Sequence, residues 1–240
     1  MDRTFDRSSL RLPAALLLAG QLLYVVVTLL HTGGEANHHS AIFAAYAGSA
    51  IWTAVHATQF ACMTMMLAGL LALFSAVDRQ ADTAKLAVRF GVAATTATLA
   101  LYGAVLAVDG VALKQAVNAW ANVPEAEKAA RFAAAEALRW LEWGTRSYAN
   151  FTLGLAVVSA AAVVRTTRIP RAIAWLMMLS ALTYFAQGWV SGAAGFSEAH
   201  TMAIILAEVL NATWMTWLLV AASRTPRGVG LARGVEVARA

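Results

Sequence analysis

The chain has 240 residues, 60% of them hydrophobic and only 13% charged, against about 25% charged in an ordinary soluble domain. That balance excludes a water-soluble globular fold. The net charge of +5 is no nucleic-acid footprint either, because the basic residues sit in short clusters at the ends of apolar runs. The single cysteine, Cys62, lies inside one such run, which leaves neither a disulfide framework nor a multi-cysteine metal site.

After a tail with Arg3, Arg7 and Arg11, the first apolar run covers residues 12–31. It exceeds the roughly 7–15 apolar residues of a secretory signal and is read as an uncleaved first span. Further runs at 50–76, 88–109, 145–164, 171–191 and 202–222 also reach the length that a helix needs to cross the hydrocarbon. Each is predicted as a helix, since an open strand would leave its backbone polar groups unsatisfied in lipid. The expected fold is therefore all-α: a polytopic bundle of six transmembrane helices over 12–222, between an N-terminal tail (1–11) and a loosely ordered tail (223–240) with Gly228, Gly230 and Gly234 beyond Pro226. Thirteen of the 18 Lys and Arg fall in the two tails and in the connections 77–89 and 165–171, while 32–49 and 192–201 have none. The positive-inside bias thus predicts cytoplasmic termini.

The connection 110–144 differs from the others. Asn122, Pro124, Glu125 and Glu127 read as a helix start, with a cap, a first-turn proline and acids facing the positive end of the dipole. No breaker follows before Val164, so the fourth span is predicted to be part of one long helix whose first turns extend beyond the outer membrane surface.

Polar residues collect at helical spacing. Gln21, Tyr24, Thr28 and His31 share one face of the first span; Trp52, His56, Gln59 and Met63 one of the second; His200, Ile204, Glu208 and Asn211 one of the sixth; and the fifth adds Thr183 and Gln187. Most lie in the outer halves, which predicts a polar cup open to the outside. Glu208 stands about 9 Å below a helix start near residue 202, at 1.5 Å per residue. An ionisable group at that depth faces the bundle interior or water, and acts as an acid/base or ligand unless it serves packing through a neighbour such as His56 or Asn211. Glu208 and His56 are the expected acid/base pair, with Glu142 and Asp109 as further catalytic candidates. Arg146, Gln59, Asn211, Gln187 and Trp143 are candidate substrate contacts, and Trp140 and Trp143 also suit headgroup anchoring. Lys114 joins Asp109 only if the helix bends between them.

The loop His31-Thr-Gly-Gly-Glu35-Ala-Asn-His38-His39 gathers three imidazoles and a carboxylate. His31, Glu35, His38 and His39 are suitable ligands for a transition metal such as zinc, although their spacing matches no metal motif and a hydrated polar loop explains them equally.

The stretches Leu30-His31-x-x-Gly34-Glu35, Phe43-Ala-Ala-Tyr46-Ala, Trp52-x-x-x-His56, Asp109-Gly-Val-Ala-Leu-Lys114, Glu127-Lys128 and Ala135-Glu136-Ala-Leu-Arg139-Trp140-x-Glu142-Trp143-Gly144 resemble an uncharacterised family of bacterial six-span membrane proteins. The likeness covers most of 12–200 and implies a multi-pass protein of the bacterial inner membrane, with no activity attached. No Gly-x-Ser-x-Gly elbow, His-Glu-x-x-His or Gly-rich phosphate loop is present.

Two functions of different class follow. One is an enzyme performing acid/base chemistry on a lipid or other apolar small molecule. The other is a non-catalytic membrane subunit or ligand-binding sensor. A transporter or channel is disfavoured, because the inner halves are apolar and no paired Gly/Pro interruptions break the spans. Membrane lipid and an apolar small molecule are the expected partners, with no nucleic acid; the oligomeric state and any cofactor beyond a metal are open.

Overall fold

A computed structural model describes residues 6–78 and 84–224. The expectation of a loose tail beyond Pro226, and the basic residues Arg3, Arg79, Arg227, Arg233 and Arg239, fall outside the described residues. The described chain is helical, without strands: α1 (Arg11–Thr28), α2 (His39–Gly48), α3 (Trp52–Asp78), α4 (Lys85–Ala107), α5 (Lys114–Ala121), α6 (Glu125–Arg165), α7 (Arg171–Ala194) and α8 (Glu198–Ser223). Six stretches among them are long and apolar enough to cross a membrane. They match the six predicted spans, and the protein is a polytopic membrane helix bundle.

The spanning helices form a ring in chain order: α1 packs on α3, α3 on α4, α4 on α6, α6 on α7, α7 on α8, and α8 closes on α1. Small residues permit the tight approaches that packing in lipid requires. A Cβ on Gly20 would lie 2.8 Å from the Cys62 carbonyl oxygen, and one on Gly188 2.9 Å from that of Ser147. Leu23, Phe90, Leu155, Leu179, Ile205 and Val209 are exposed on the outside of the ring, as a surface facing acyl chains should be. One end of the bundle is basic. There Arg7 donates to the Arg168 carbonyl at 2.5 Å and Arg11 to the Ala222 carbonyl at 3.1 Å, cations set on carbonyls where helices end.

The opposite end carries a cap. Helix α6 has 41 residues, about 60 Å at 1.5 Å per residue, twice the hydrocarbon thickness of about 30 Å. Its first turns, α5 and α2 bury Ile42, Phe43, Tyr46, Leu113, Val117 and Ala135 together with Trp52, a second small apolar core. Helix α2 lies within the segment read from the sequence as a plain connection. The start of α6 is also corrected: Pro124 holds the N-cap position, with Glu125 and Glu127 in the first turn. Asn122 instead ends α5 and donates to the Asn118 carbonyl at 2.8 Å. The third span does not stop at Asp109. It passes through one π-helical turn, Val108–Leu113, straight into α5. The first span is shorter than expected and ends at Thr28, which leaves His31 in the following connection.

Candidate functional site: a polar cavity beneath the cap

Enclosed by the ring is a cavity of about 370 Å³, within the usual range for small-molecule pockets. It runs from the 31–36 connection and Phe196 at the cap end to Met66, Tyr102 and Leu153 in the middle of the bundle. Towards the basic end the interior closes with Leu17, Leu70, Leu73, Phe74, Val157 and Val164. The apolar inner half read from the sequence is thus a plug, and the polar faces converge above it.

Of the expected catalytic residues, Glu208 and Asp109 line the cavity, whereas His56 and Glu142 stand behind its wall. Arg146, Gln59 and Gln187 line it too, with Gln21, Tyr24, Thr28, His31 and His200; Asn211 and Trp143 do not. The expected pairing of Glu208 with His56 is not what the packing produces. Glu208 accepts a hydrogen bond from the Gln21 amide of α1. His56 meets Asp109 instead, Nε2 to Oδ2 at 3.1 Å. Both α3 and α8 pack on α1, which carries Gln21 and supplies the nearer polar side chain to Glu208.

Asn211 organises the wall behind Glu208. Its amide donates to the Tyr184 hydroxyl at 2.6 Å and to Gln21 Oε1 at 3.4 Å, while its carbonyl oxygen accepts from Ser180 and, at 3.0 Å, from Trp214. Every polar atom of this side chain is engaged, which fixes α1, α7 and α8 around Glu208.

On the α6 side lies a chain of buried charges. Glu142 is fully buried and accepts from Arg139 at 2.8 Å and from Arg146 at 2.7 Å. Arg146 reaches on to Asp109 Oδ2 at 3.5 Å. Two carboxylates thus face two guanidiniums, and the cluster is neutral as a unit. The π turn projects Asp109 into this cluster, and Trp52 Nε1 holds the carbonyl of Asp109 at 2.9 Å. Such turns often mark functional positions. Gly110 is needed there, because a Cβ would sit 2.7 Å from that of His56. Lys114 does not join Asp109: it donates to the carbonyls of Tyr46, Ala47 and Ser49 at 2.7–2.9 Å and ties down the C-terminal end of α2.

The four-ligand metal set expected in the 31–39 loop is not assembled. Glu35 and His38 are exposed, and His39 bonds Glu136 at 2.8 Å while stacking on Phe43. His31 alone turns inward, with its ring 5.1 Å from that of His56 and 4.8 Å from that of Trp52. Burial holds its pKa below the ordinary imidazole value, against the upward pull of Asp109. Burial also pushes the nearby Tyr46 phenol up to about 12, so it stays a neutral hydroxyl.

Three residues on the cavity wall keep buried polar atoms with no hydrogen-bond partner: Asp109 Oδ1, Arg139 Nε and both ring nitrogens of His200. Neither Arg139 nor His200 has a role in the site as read from the sequence, although His200 falls on the Glu208 face of the predicted cup. For Arg139 the signal was its i, i+3 spacing to Glu142; for His200 it was the i, i+8 spacing to Glu208, two turns along one face.

Fold and site together define a multi-pass helix bundle with a buried polar chamber beneath a helical cap. Comparison of the chain with protein-family models, curated proteins and solved structures yields no match.

Proposed function

We propose that the protein is a membrane-embedded enzyme that moves a proton on a lipid-derived or other apolar small molecule held in this cavity, with Glu208 as the acid/base group. The observation that carries the reading is the difference between the buried carboxylates. Glu142 and Asp109 are engaged with guanidiniums, so a proton exchanged there would break an ion pair. Glu208 lines the cavity beside a neutral amide and can take or give a proton without that cost. Met63, Met66, Leu153 and Ile204 supply apolar wall for the body of the substrate, while Arg146 and the incompletely bonded Arg139 and His200 suit a polar group at one end. The clustering of basic residues and the family resemblance support a place in a bacterial cytoplasmic membrane, with the cap and cavity mouth outside.

The test is turnover in D2O. Full-length protein in vesicles of native lipid extract should incorporate deuterium into a retained small molecule, or convert it, as read by mass spectrometry. Glu208→Gln should keep the molecule bound and lose the exchange. Undiminished exchange in that variant would remove Glu208 from the reaction. A wild-type protein that retains a molecule and alters none would favour the non-catalytic sensor or subunit.

A further inference from the structure

His56, Asp109 and His31 come from three different parts of the chain, yet one potential ligand atom from each lies within 4.8 Å of the other two. His56 Nδ1 is 2.8 Å from the Trp52 carbonyl, an acceptor only, so the ring proton sits on Nδ1. In that tautomer Nε2 presents a lone pair to Asp109 Oδ2 at 3.1 Å, and two acceptors face one another. A cation between the two atoms resolves this, either a second ring proton or a metal ion. His31 repeats the pattern: Nδ1 is 2.9 Å from the Thr32 carbonyl, which leaves Nε2 as the free lone pair. Imidazoles whose Nδ1–H is held by a backbone carbonyl while Nε2 points at a shared centre are oriented as metal ligands are. The second carboxylate oxygen, Asp109 Oδ1, is buried and unpartnered.

From this geometry we infer that His31, His56 and Asp109 form a binding site for a divalent transition-metal ion of the zinc or iron(II) class, on the wall of the cavity. Two imidazoles and one carboxylate suit those ions and leave coordination positions open. Ligand atoms about 2.1 Å from a common ion and roughly 90–100° apart are separated by about 3.0–3.2 Å, and the His56–Asp109 spacing of 3.1 Å already meets that. His31 offers its ligand atom within 4.8 Å of the other two and sits in a connection rather than a helix, so the loop can shift to bring it to the ion. His31 and Asp109 line the cavity and His56 backs them, so the open positions face the cavity. Because Asp109 and Glu142 already face two guanidiniums, an added dication leaves the cluster positive and favours an anionic group from the ligand in an open position. The site stands whether or not the cavity is catalytic, since counting a metal needs no substrate.

Full-length protein in detergent, stripped with a chelator, is loaded with Zn2+ or, anaerobically, with Fe2+, and the ion retained through gel filtration is counted by mass spectrometry. About one ion per chain is expected. His31→Ala, His56→Ala and Asp109→Asn should each weaken binding by at least about 100-fold, and the double variant Glu35→Ala/His38→Ala should leave it unchanged. X-ray absorption on the zinc-loaded wild type keeps the inference falsifiable if a variant fails to fold, because it must show two imidazole ligands and oxygen. Absence of a retained ion, an absorption spectrum without two imidazoles, binding that survives all three substitutions, or loss confined to the double variant would each overturn it.

Discussion

At the residue scale, the strongest commitment in the structure is the Arg139–Glu142–Arg146 triad. A charge buried here is tolerated only because its partners are present, and breaking such a pair costs about 3–5 kcal/mol. Arg139→Met leaves Glu142, fully buried, with a single guanidinium. Its thermal midpoint in a fixed detergent should fall well below that of wild type. Arg131→Met serves as the comparison, because its 3.7 Å pair with Glu127 is exposed and such pairs are worth about 0–1 kcal/mol. Equal midpoints for the two variants would mean that the triad does not hold α6 in place. The spacing of 139, 142 and 146 was readable as an ion-pair ladder, but a sequence cannot say whether a ladder faces solvent or the interior. The same ignorance produced the expected pairing of Glu208 with His56: depth was readable for both, and which helix stood beside each was not.

At the element scale, the spans were legible because lipid leaves a long apolar segment no alternative to helix. What escaped was everything set by local departures from the regular helix. A π turn inserts one residue, about 100° of rotation, so the facing of Lys114 could not be extrapolated from Asp109. The face read for Gln21, Tyr24, Thr28 and His31 does line the cavity, but α1 ends at Thr28, so His31 reaches it from the connection, where its ring comes 5.1 Å from that of His56. Helix α2 is short and owes its place to packing and to Lys114, whose ammonium takes three carbonyls at its end. Lys114→Met should therefore raise backbone hydrogen exchange across 39–48 while α7 keeps wild-type protection. Unchanged exchange in α2 would assign its docking to the apolar contacts of Phe43 and Tyr46 alone.

At the scale of the whole molecule, the ring has two unlike ends, and orientation decides which compartment the cavity serves. The cap end carries α2, the 31–38 connection and Phe196. The other end carries Arg7, Arg11, Arg165, Arg168 and Arg171, some of them bonded to carbonyls at helix ends. Those bonds do not remove the charges, and it is the density of Lys and Arg in short connections that holds an end in the cytoplasm during insertion. The basic end should then be cytoplasmic and the cap external. Ser40 and Thr166 are exposed at opposite ends, and the labelling background carries Cys62→Ser to remove the one native, buried thiol. In intact cells an impermeant thiol reagent should label Ser40→Cys and spare Thr166→Cys until the membrane is opened. Labelling of both from one side would contradict a ring in which every spanning helix crosses once. The reverse pattern would keep the ring but turn the cavity, and any ligand it binds, toward the cytoplasm.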